Sequence, residues 1–533
     1  MAVKKQTFMN GVLVVMFSQI LIKIFGFVYR IILTNIPSFS DEGNSYYGSA
    51  YQVYTLILAI ATMGIPNTIS KLVSEKMAID DKRGAHRIFQ TAMGLFVFIA
   101  TIFSASLFLG AGAISTNILK NPGVKYSLMA LAPAIIFVSM SATLRGYFLG
   151  MQNMMQYSKT QVIEQIVNSI FSVVFVVMLT GSSPEIMAAG STLATTLSAS
   201  VAFLYMLKYY NKNKKDIWED VKKSTKYALE SKKQIVKKLI SYVLPISFAS
   251  VVAALSGVID IVTVMDGLQK FGYDLQTANE KFGILLGKVD ILTNVPLALN
   301  VAFSVALVPF VSSALAKGRK DEAVSKINYS LKTSTMIALP CTAGLFILAK
   351  PIFELLFPNA TAGAYLLQIQ CWMVIFSVLD QTLSGSLQGF GKLYVPGAGL
   401  LVGAVTKYIL NVVFIPIYGE IVPAITTVVY NVIAFAISYI ALFRILKQKH
   451  NFKNIFLKPI LATGIMSIST VLFYKLLAYF NISNSIDTVL SIIFAIVIYV
   501  LSVIYIGILN EDEIKQLPGG NKIWKVCTKL KKI

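Results

Sequence analysis

Residues 136–150 read IFVSMSATLRGYFLG, and residues 375–389 read IFSVLDQTLSGSLQG. At a separation of 239 residues, Ile136-Phe137, Thr143-Leu144, Gly146 and Gly150 stand against Ile375-Phe376, Thr382-Leu383, Gly385 and Gly389. A polar segment at 80–87 has its counterpart at 319–326, at the same interval. The chain therefore reads as a duplication. Each copy carries an ionisable residue, Arg145 or Asp380, inside an otherwise apolar helical run.

Similar apolar runs continue in both directions. A membrane-spanning helix needs about 20 mostly apolar residues, and fourteen segments qualify: 8–33, 46–72, 88–112, 127–150, 158–180, 185–208, 239–262, 283–315, 327–349, 364–388, 393–416, 421–446, 455–477 and 486–509. The runs are continuous and do not alternate, which favours helices over barrel strands. The first is long, contains Lys23 and Arg30 and lacks a small-residue cleavage site, unlike a cleaved leader. Six spans separate the repeats, so the copies share one orientation. The expected fold is an all-α polytopic membrane protein with about 14 transmembrane helices, as two six-helix lobes in parallel repeat plus two C-terminal helices. The expected segments are an N-terminal lobe at 1–208, a basic linker at 209–238, a C-terminal lobe at 239–446, and two further helices with a basic tail at 447–533.

Composition agrees. Of 533 residues 56% are hydrophobic and only 14% charged, against ~25% charged in an average soluble protein; mean hydropathy is +0.70. The net charge of +22 would suggest nucleic acid in a soluble chain. Here 35 Lys+Arg and 12 Asp+Glu fall on the side holding both termini, and 6 Lys+Arg and 9 acids on the other. The positive-inside rule then places both termini in the cytoplasm, and no nucleic-acid partner is expected. The richest stretch, 208–238, holds eleven lysines and reads as a topology anchor and linker, with anionic lipid or a protein as a further partner. Cys341, Cys371 and Cys527 have no metal spacing, and His86 and His450 read as solvated loop histidines.

Ten ionisable residues remain within the spans: Lys23, Arg30, Arg145, Lys288, Lys332, Lys407, Glu164, Asp260, Asp290 and Asp380. Such groups are costly in lipid unless they face a cavity or a partner. Lys23 and Arg30 are two turns apart on one helical face, a cationic stripe suited to an anion. Arg145 and Glu164 flank the turn between the fourth and fifth spans symmetrically, so an antiparallel hairpin brings them to one depth as an ion pair or gate. Asp260, Lys288 and Asp290 are expected to meet near the outer mouth, with Pro296 bending a long eighth span. Asp380 and Lys407 form a looser candidate pair, and Lys332 is expected to snorkel. The only outer loop of any size is expected at 266–282. No P-loop, His/Cys cluster or nucleophile elbow is present, so no enzyme activity is expected.

Several stretches resemble bacterial polysaccharide and lipid II flippases. They are Gly26-Phe27-Val28-Tyr29-Arg30; Tyr54-Thr55-Leu56 running into Ala61-Thr62-Met63-Gly64-Ile65-Pro66; Ser70-Lys71-Leu72-Val73-Ser74-Glu75; Leu144 to Gln152; and Gln161 to Val167. The resemblance is to the branch containing stage V sporulation protein B and the Gram-positive lipid II flippases, within the superfamily of multidrug and toxic-compound extruders. It implies a two-lobed bundle, alternating access and a central cationic cavity. The implied substrate is an undecaprenyl-diphosphate-linked saccharide or muropeptide. Lys23 takes the place of a first-span basic residue, and Lys23, Arg30 and Arg145 would hold the diphosphate. Tyr29-Arg30 stands where lipid II flippases have Arg-Asp, and the second-span arginine is absent. No cofactor is expected; a coupling ion, H⁺ or Na⁺, stays open. Membrane lipids and envelope-synthesis proteins are the expected partners. A cation-coupled drug extruder of the same architecture and a non-transporting scaffold of envelope synthesis are the alternatives.

Overall fold

A computed structural model describes residues 8–511 except 152, 225–227, 317, 393, 447–452, 481–482 and 510. His450, Cys527 and the tail beyond 511 lie outside the described residues. Lipid offers no hydrogen bonds to the backbone, so apolar runs must satisfy their own peptide groups, and the described chain is helical almost throughout.

The first helices are α1 (Phe8–Thr34), α2 (Ser40–Ala59), α3 (Ile65–Ala78), α4 (Lys82–Ala113) and α5 (Val124–Leu131). Then come α6 (Ala134–Gly150), α7 (Met154–Met178), α8 (Pro184–Lys223), α9 (Lys232–Phe271) and α10 (Leu275–Ile284). They are followed by α11 (Asp290–Ala316), α12 (Lys320–Ile347), α13 (Ala349–Leu356), α14 (Ala364–Gln370) and α15 (Met373–Gly389). The last are α16 (Tyr394–Tyr418), α17 (Ile421–Leu446), α18 (Lys458–Tyr479) and α19 (Asn484–Ile506). Local chemistry sets several ends. Asp81 caps α4 by accepting from Gly84 N at 2.8 Å, and Ser231 with Gln234 forms a capping box on α9. Gly272 and Gly507 close α9 and α19 in the left-handed conformation.

Among the described residues thirteen helical segments are long and apolar enough to cross a membrane. They answer to thirteen of the fourteen expected spans. The remaining one, 46–72, is helical as well, formed by α2, a π-turn at Ile60–Gly64 and α3. Pro66 has no N–H to donate, and the wider turn before it absorbs the lost bond. A second π-turn, Leu285–Val289, joins α10 to α11. The irregularity in the eighth span therefore precedes Pro296, which sits within α11. The expected outer loop at 266–282 is the end of α9, a short turn and α10.

The chain divides into two compact units, one of Met1–Lys288 with Tyr408–Pro423, the other of Val289–Lys407 with Ala424–Ile533. The repeat appears inside each. In the first, a Cβ on Gly146 would lie 2.8 Å from Pro66 O, and Ser74 Oγ donates to Gly150 O at 3.1 Å. In the second, a Cβ on Gly385 would lie 2.5 Å from Ser304 O, and Ser312 Oγ donates to Gly389 O at 3.0 Å. The shared glycines thus let α3 and α6, and α11 and α15, approach to backbone contact. Leu307, Val311, Leu379, Leu383 and Leu387 continue the second seam as buried core.

Two expectations are corrected. His86 is 2% exposed, enclosed by Phe89, Tyr147, Tyr210 and Trp218, because the basic linker begins as a continuation of α8 that packs over α4. That extension is held by Lys82 to Asp220 at 3.1 Å, by Lys82 N to Ser224 Oγ at 3.1 Å and by Ser224 Oγ to Asp80 O at 2.9 Å. Lys332 does not snorkel: it is buried and donates to Ile508 O at 3.2 Å, just past the end of α19. A lysine is favoured there by the unpaired carbonyls and the negative end of the helix.

Candidate functional site

In the first unit α1 lies along α7. Gln19, Lys23, Gly26 and Arg30 recur at three- and four-residue spacing and share one stripe of α1. Gln19 Nε2 donates to Gln161 Oε1 at 3.0 Å, and Ser169 Oγ donates to Phe25 O at 3.5 Å. Gly26 leaves room for Gln165, whose Nε2 would be 3.5 Å from a Cβ placed there. The seam between these two membrane helices is therefore polar. Lys23 is exposed and makes no ion pair among the described residues.

Arg30 lies about 10 Å further along α1. Its guanidinium stands 4.4 Å from the centre of the Tyr47 ring and donates to Leu286 O at 3.5 Å, while Nη1 is buried without a hydrogen-bond partner. Tyr47 is fixed by a 3.0 Å hydrogen bond to Tyr29 OH. Tyr47, Tyr51 and Tyr54 fall at i, i+4 and i+7 on one face of α2, with ring centres 5.6 and 5.7 Å apart. Tyr51 is within electrostatic reach of Arg30 and Glu164, and Tyr54 of Glu164 and Arg145. The tyrosine ladder thus joins the cation of α1 to the ion pair beyond it.

That pair is Arg145 with Glu164, 2.5 Å apart across the α6–α7 hairpin. The geometry inferred from equal distances to the turn is present. Arg145 is 4% exposed and its Nε has no hydrogen-bond partner. Its charge is matched by Glu164, whereas Lys23 carries its charge unpaired and Arg30 spends its own on a π face and one long carbonyl contact.

The trio of Asp260, Lys288 and Asp290 resolves into separate arrangements. Lys288 meets Asp41 at 2.7 Å, Gln370 Nε2 donates to Asp290 Oδ1 at 2.6 Å, and Asn411 Nδ2 donates to Asp260 Oδ1 at 3.2 Å. Around Asp41, a buried network joins Ser45 to Asn279 at 2.7 Å, Asn121 to Asn279 at 2.6 Å and Tyr46 to Glu42 at 3.0 Å. Asp380 and Lys407 do not pair with each other. Asp380 has Ser384 and Ser438 as neighbours, and buried Lys407 lies 6.0 Å from the centre of the Tyr430 ring. The two residues differ by about 6 Å in depth along their hairpin, enough to separate them.

Sequence reading missed Asp41 and the tyrosines. Asp41 lies in a polar connection outside the apolar runs, and nothing local announces Lys288, 247 positions away. The tyrosine ladder had a signal, its helical spacing.

The polysaccharide biosynthesis protein family model matches residues 8–315, and the MatE model matches 291–413. The chain is similar to stage V sporulation protein B of Bacillus subtilis strain 168, 25% identical over 408 residues covering 76% of this chain and 77% of that protein. It is similar to lipid II flippase MurJ of the same organism, 26% identical over 448 residues covering 81% and 80%. A solved structure of lipid II flippase MurJ in an inward closed conformation shares the fold, with a TM-score of 0.69 at 16% identity over 91% of this chain and 97% of that one. The first family model takes in more than half of the chain, including the stripe, the ladder and the ion pair. This multi-pass membrane protein belongs to the polysaccharide biosynthesis protein family.

Proposed function

We propose that the chain is a flippase that moves an undecaprenyl-diphosphate-linked saccharide or peptidoglycan precursor from the inner to the outer leaflet. It works by alternating access, with both termini in the cytoplasm and no catalysis of its own. The observation that carries this reading is the α1 stripe, in which Lys23 is exposed and unpaired and Arg30 keeps a buried Nη1 without an acceptor. The similarity to a lipid II flippase supports the substrate class.

A diphosphate headgroup cannot enter ~30 Å of hydrocarbon unaided, whereas its prenyl tail can stay there. The protein needs only to supply cations along a wet path. Lys23, a mobile point charge, and Arg30, a planar fork held against Tyr47, would contact phosphate oxygens in succession. Arg145 is already neutralised by Glu164, so its part is to shape the site. A membrane potential negative inside favours outward movement of an anion by about 2.3 kcal/mol per charge per 100 mV.

The test is headgroup translocation by purified protein in proteoliposomes, comparing lipid II with other prenyl-diphosphate saccharides. Lys23→Gln and Arg30→Gln are each expected to lower the rate at least tenfold; unchanged rates in both would overturn the assignment. The match of residues 291–413 to the MatE model favours one second reading, a cation-coupled drug extruder. Efflux of a fluorescent organic cation, with no translocation of lipid-linked substrates, would select it.

A further inference from the structure

Helices α7 and α8 form an antiparallel hairpin in the first unit, pinned by Thr195 Oγ1 donating to Asn168 Oδ1 at 3.0 Å. Two more hydrogen bonds fix its register at the end where the basic linker begins. Tyr205 OH donates to Gln156 Oε1 at 2.9 Å, and Asn153 Nδ2 donates to Tyr209 OH at 2.9 Å. Tyr209 is also held edge-on against Phe148, with ring centres 4.9 Å apart. The bond from Tyr205 occupies the acceptor end of the Gln156 amide. Both N–H groups of its Nε2 are left without a partner among the described residues.

Three lysines flank this level along the two helices. Lys208 lies about one turn beyond Tyr205 and Lys212 one turn further, on one face of α8, while Lys159 lies about one turn past Gln156 on α7. All three are exposed, and none makes an ion pair among the described residues. They span about 15 Å in depth, a range that flexible lysine stems narrow by bending towards the headgroups. Other lysines at this end of the first unit have carboxylates: Lys76 meets Asp81 and Glu230, Lys82 meets Asp220, and Lys238 meets Glu230. The charge on the α7–α8 seam is uncompensated. Deeper in the membrane the same faces are apolar, with Leu193, Leu204 and Ile170 exposed. The seam is thus hydrocarbon-like at acyl-chain depth and cationic, with an unused amide donor, at headgroup depth.

We propose that Gln156, Lys159, Lys208 and Lys212 bind the phosphate of an anionic phospholipid in the leaflet on the linker side, its acyl chains lying along the exposed faces of α7 and α8. Charge complementarity selects the occupant. A headgroup of net negative charge satisfies the lysines, whereas a zwitterionic one brings its own cation against them. A topology signal needs only the lysines; the amide held by Tyr205 adds directed donors for a phosphate oxygen. The inference concerns lipid binding alone and is independent of the transport reading.

The experiment titrates purified, delipidated full-length protein in nonionic detergent with phosphatidylglycerol, or with phosphatidylcholine of the same chains, and counts bound lipid by native mass spectrometry. Wild type is expected to bind phosphatidylglycerol saturably and at least tenfold more tightly than phosphatidylcholine. Lys208→Gln with Lys212→Gln is expected to abolish that preference, and Lys208→Arg with Lys212→Arg to retain it. Lys222→Gln with Lys223→Gln makes the same change in charge about 15 Å further along α8, beyond a Debye length of about 8 Å, and should leave the preference intact. Gln156→Leu should weaken phosphatidylglycerol binding about threefold with phosphatidylcholine unaffected. All the substituted lysines are exposed, and Tm checks that each variant is folded. Wild type without a preference, or a Lys208 and Lys212 neutral variant that keeps it, would overturn the site. Equal losses in the two neutral double variants would overturn it in favour of diffuse surface charge. Unchanged binding in Gln156→Leu, or displacement of the lipid by inorganic phosphate, would also count against it.

Discussion

Lys288 donates to Oδ2 of Asp41 at 2.7 Å with its own side chain wholly buried. The contact is built on glycine. A Cβ on Gly283 would overlap the Asp41 carbonyl, and one on Gly287 would overlap Asn44, so the Gly283-Ile284-Leu285-Leu286-Gly287 run lets α10 and the following π-turn settle directly on α2. Removing one partner of a buried pair strands the other charge and costs about 3–5 kcal/mol, whereas removing both costs much less. Lys288→Met is therefore expected to lower Tm in detergent strongly. Lys288→Met combined with Asp41→Asn is expected to recover most of the loss. Additive losses in the double variant would mean that the pair does not act as a unit.

The repeat glycines give a matched prediction. Gly146→Ala and Gly385→Ala each push a methyl against a neighbouring backbone carbonyl, Pro66 O at 2.8 Å and Ser304 O at 2.5 Å. Overpacking of this kind costs about 1–3 kcal/mol. Both variants should lose Tm by similar amounts, and Gly344→Ala, where a Cβ meets nothing within 4 Å, should not. A large difference between the two repeat positions would show that the seams are not equivalent.

These glycines, the spans and the Arg145–Glu164 pair were legible in the sequence because each follows from helical periodicity or from symmetry about a turn. Such rules need only neighbours in the chain. Lys288 with Asp41 is a long-range match that periodicity cannot reveal, and hydropathy assigned Asp41 to a loop. His86 looked solvated because the residues that cover it, Tyr210 and Trp218, sit on a helical extension rich in lysine. Asp380 and Lys407 looked complementary by charge, but their difference in depth along the hairpin keeps them apart. Charge counting finds ionisable residues in lipid; it does not find their partners.

The basic segment before α9 is clamped by Glu230, which accepts from Lys238 at 2.7 Å and meets Lys76 at 3.0 Å. The hydrogen bond from Lys238 holds the Glu230 carboxyl below its ordinary value of 4.5; burial opposes the shift, and Lys76 adds to it. A depressed folded-state value means that the stabilisation is complete above pH 4.5 and disappears as pH falls through the lower value. Protection against hydrogen exchange over the first turns of α9, taken relative to the intrinsic rate, should therefore fall below pH 4.5. Glu230→Gln should show the lower protection already at neutral pH. Exchange in that variant identical to wild type would remove the clamp from consideration.

Arg145 and Glu164 can be separated into structural and transport roles by exchange. Either single neutral variant leaves a buried charge unpaired and should reduce the yield of folded protein. The swap, Arg145→Glu with Glu164→Arg, restores a pair and should restore folding in part. If the pair only shapes the site, translocation should return to within about tenfold of wild type along with the fold. If the cation must stand on α6, the swapped protein should fold and fail to transport.

Arg30 is the most specific of the three basic positions, because its guanidinium both stacks on Tyr47 and reaches the Leu286 carbonyl. Lysine keeps the charge but has neither the planar fork nor the stacking face. Arg30→Lys should therefore lower translocation about tenfold, with a moderate loss of Tm because a desolvated cation–π contact is worth about 2 kcal/mol. Tyr47→Phe removes the hydroxyl bonded to Tyr29 but keeps the ring beneath the guanidinium, so its loss should stay within about threefold. Tyr47→Ala removes the ring and should match Arg30→Lys. Lys23 makes no ion pair among the described residues and supplies a point charge, so Lys23→Arg should retain most activity while Lys23→Gln should not. Initial rates in proteoliposomes, normalised to folded protein, measure all five. Equal rates for Arg30→Lys and wild type would mean that charge alone, without the stacked geometry, serves the substrate.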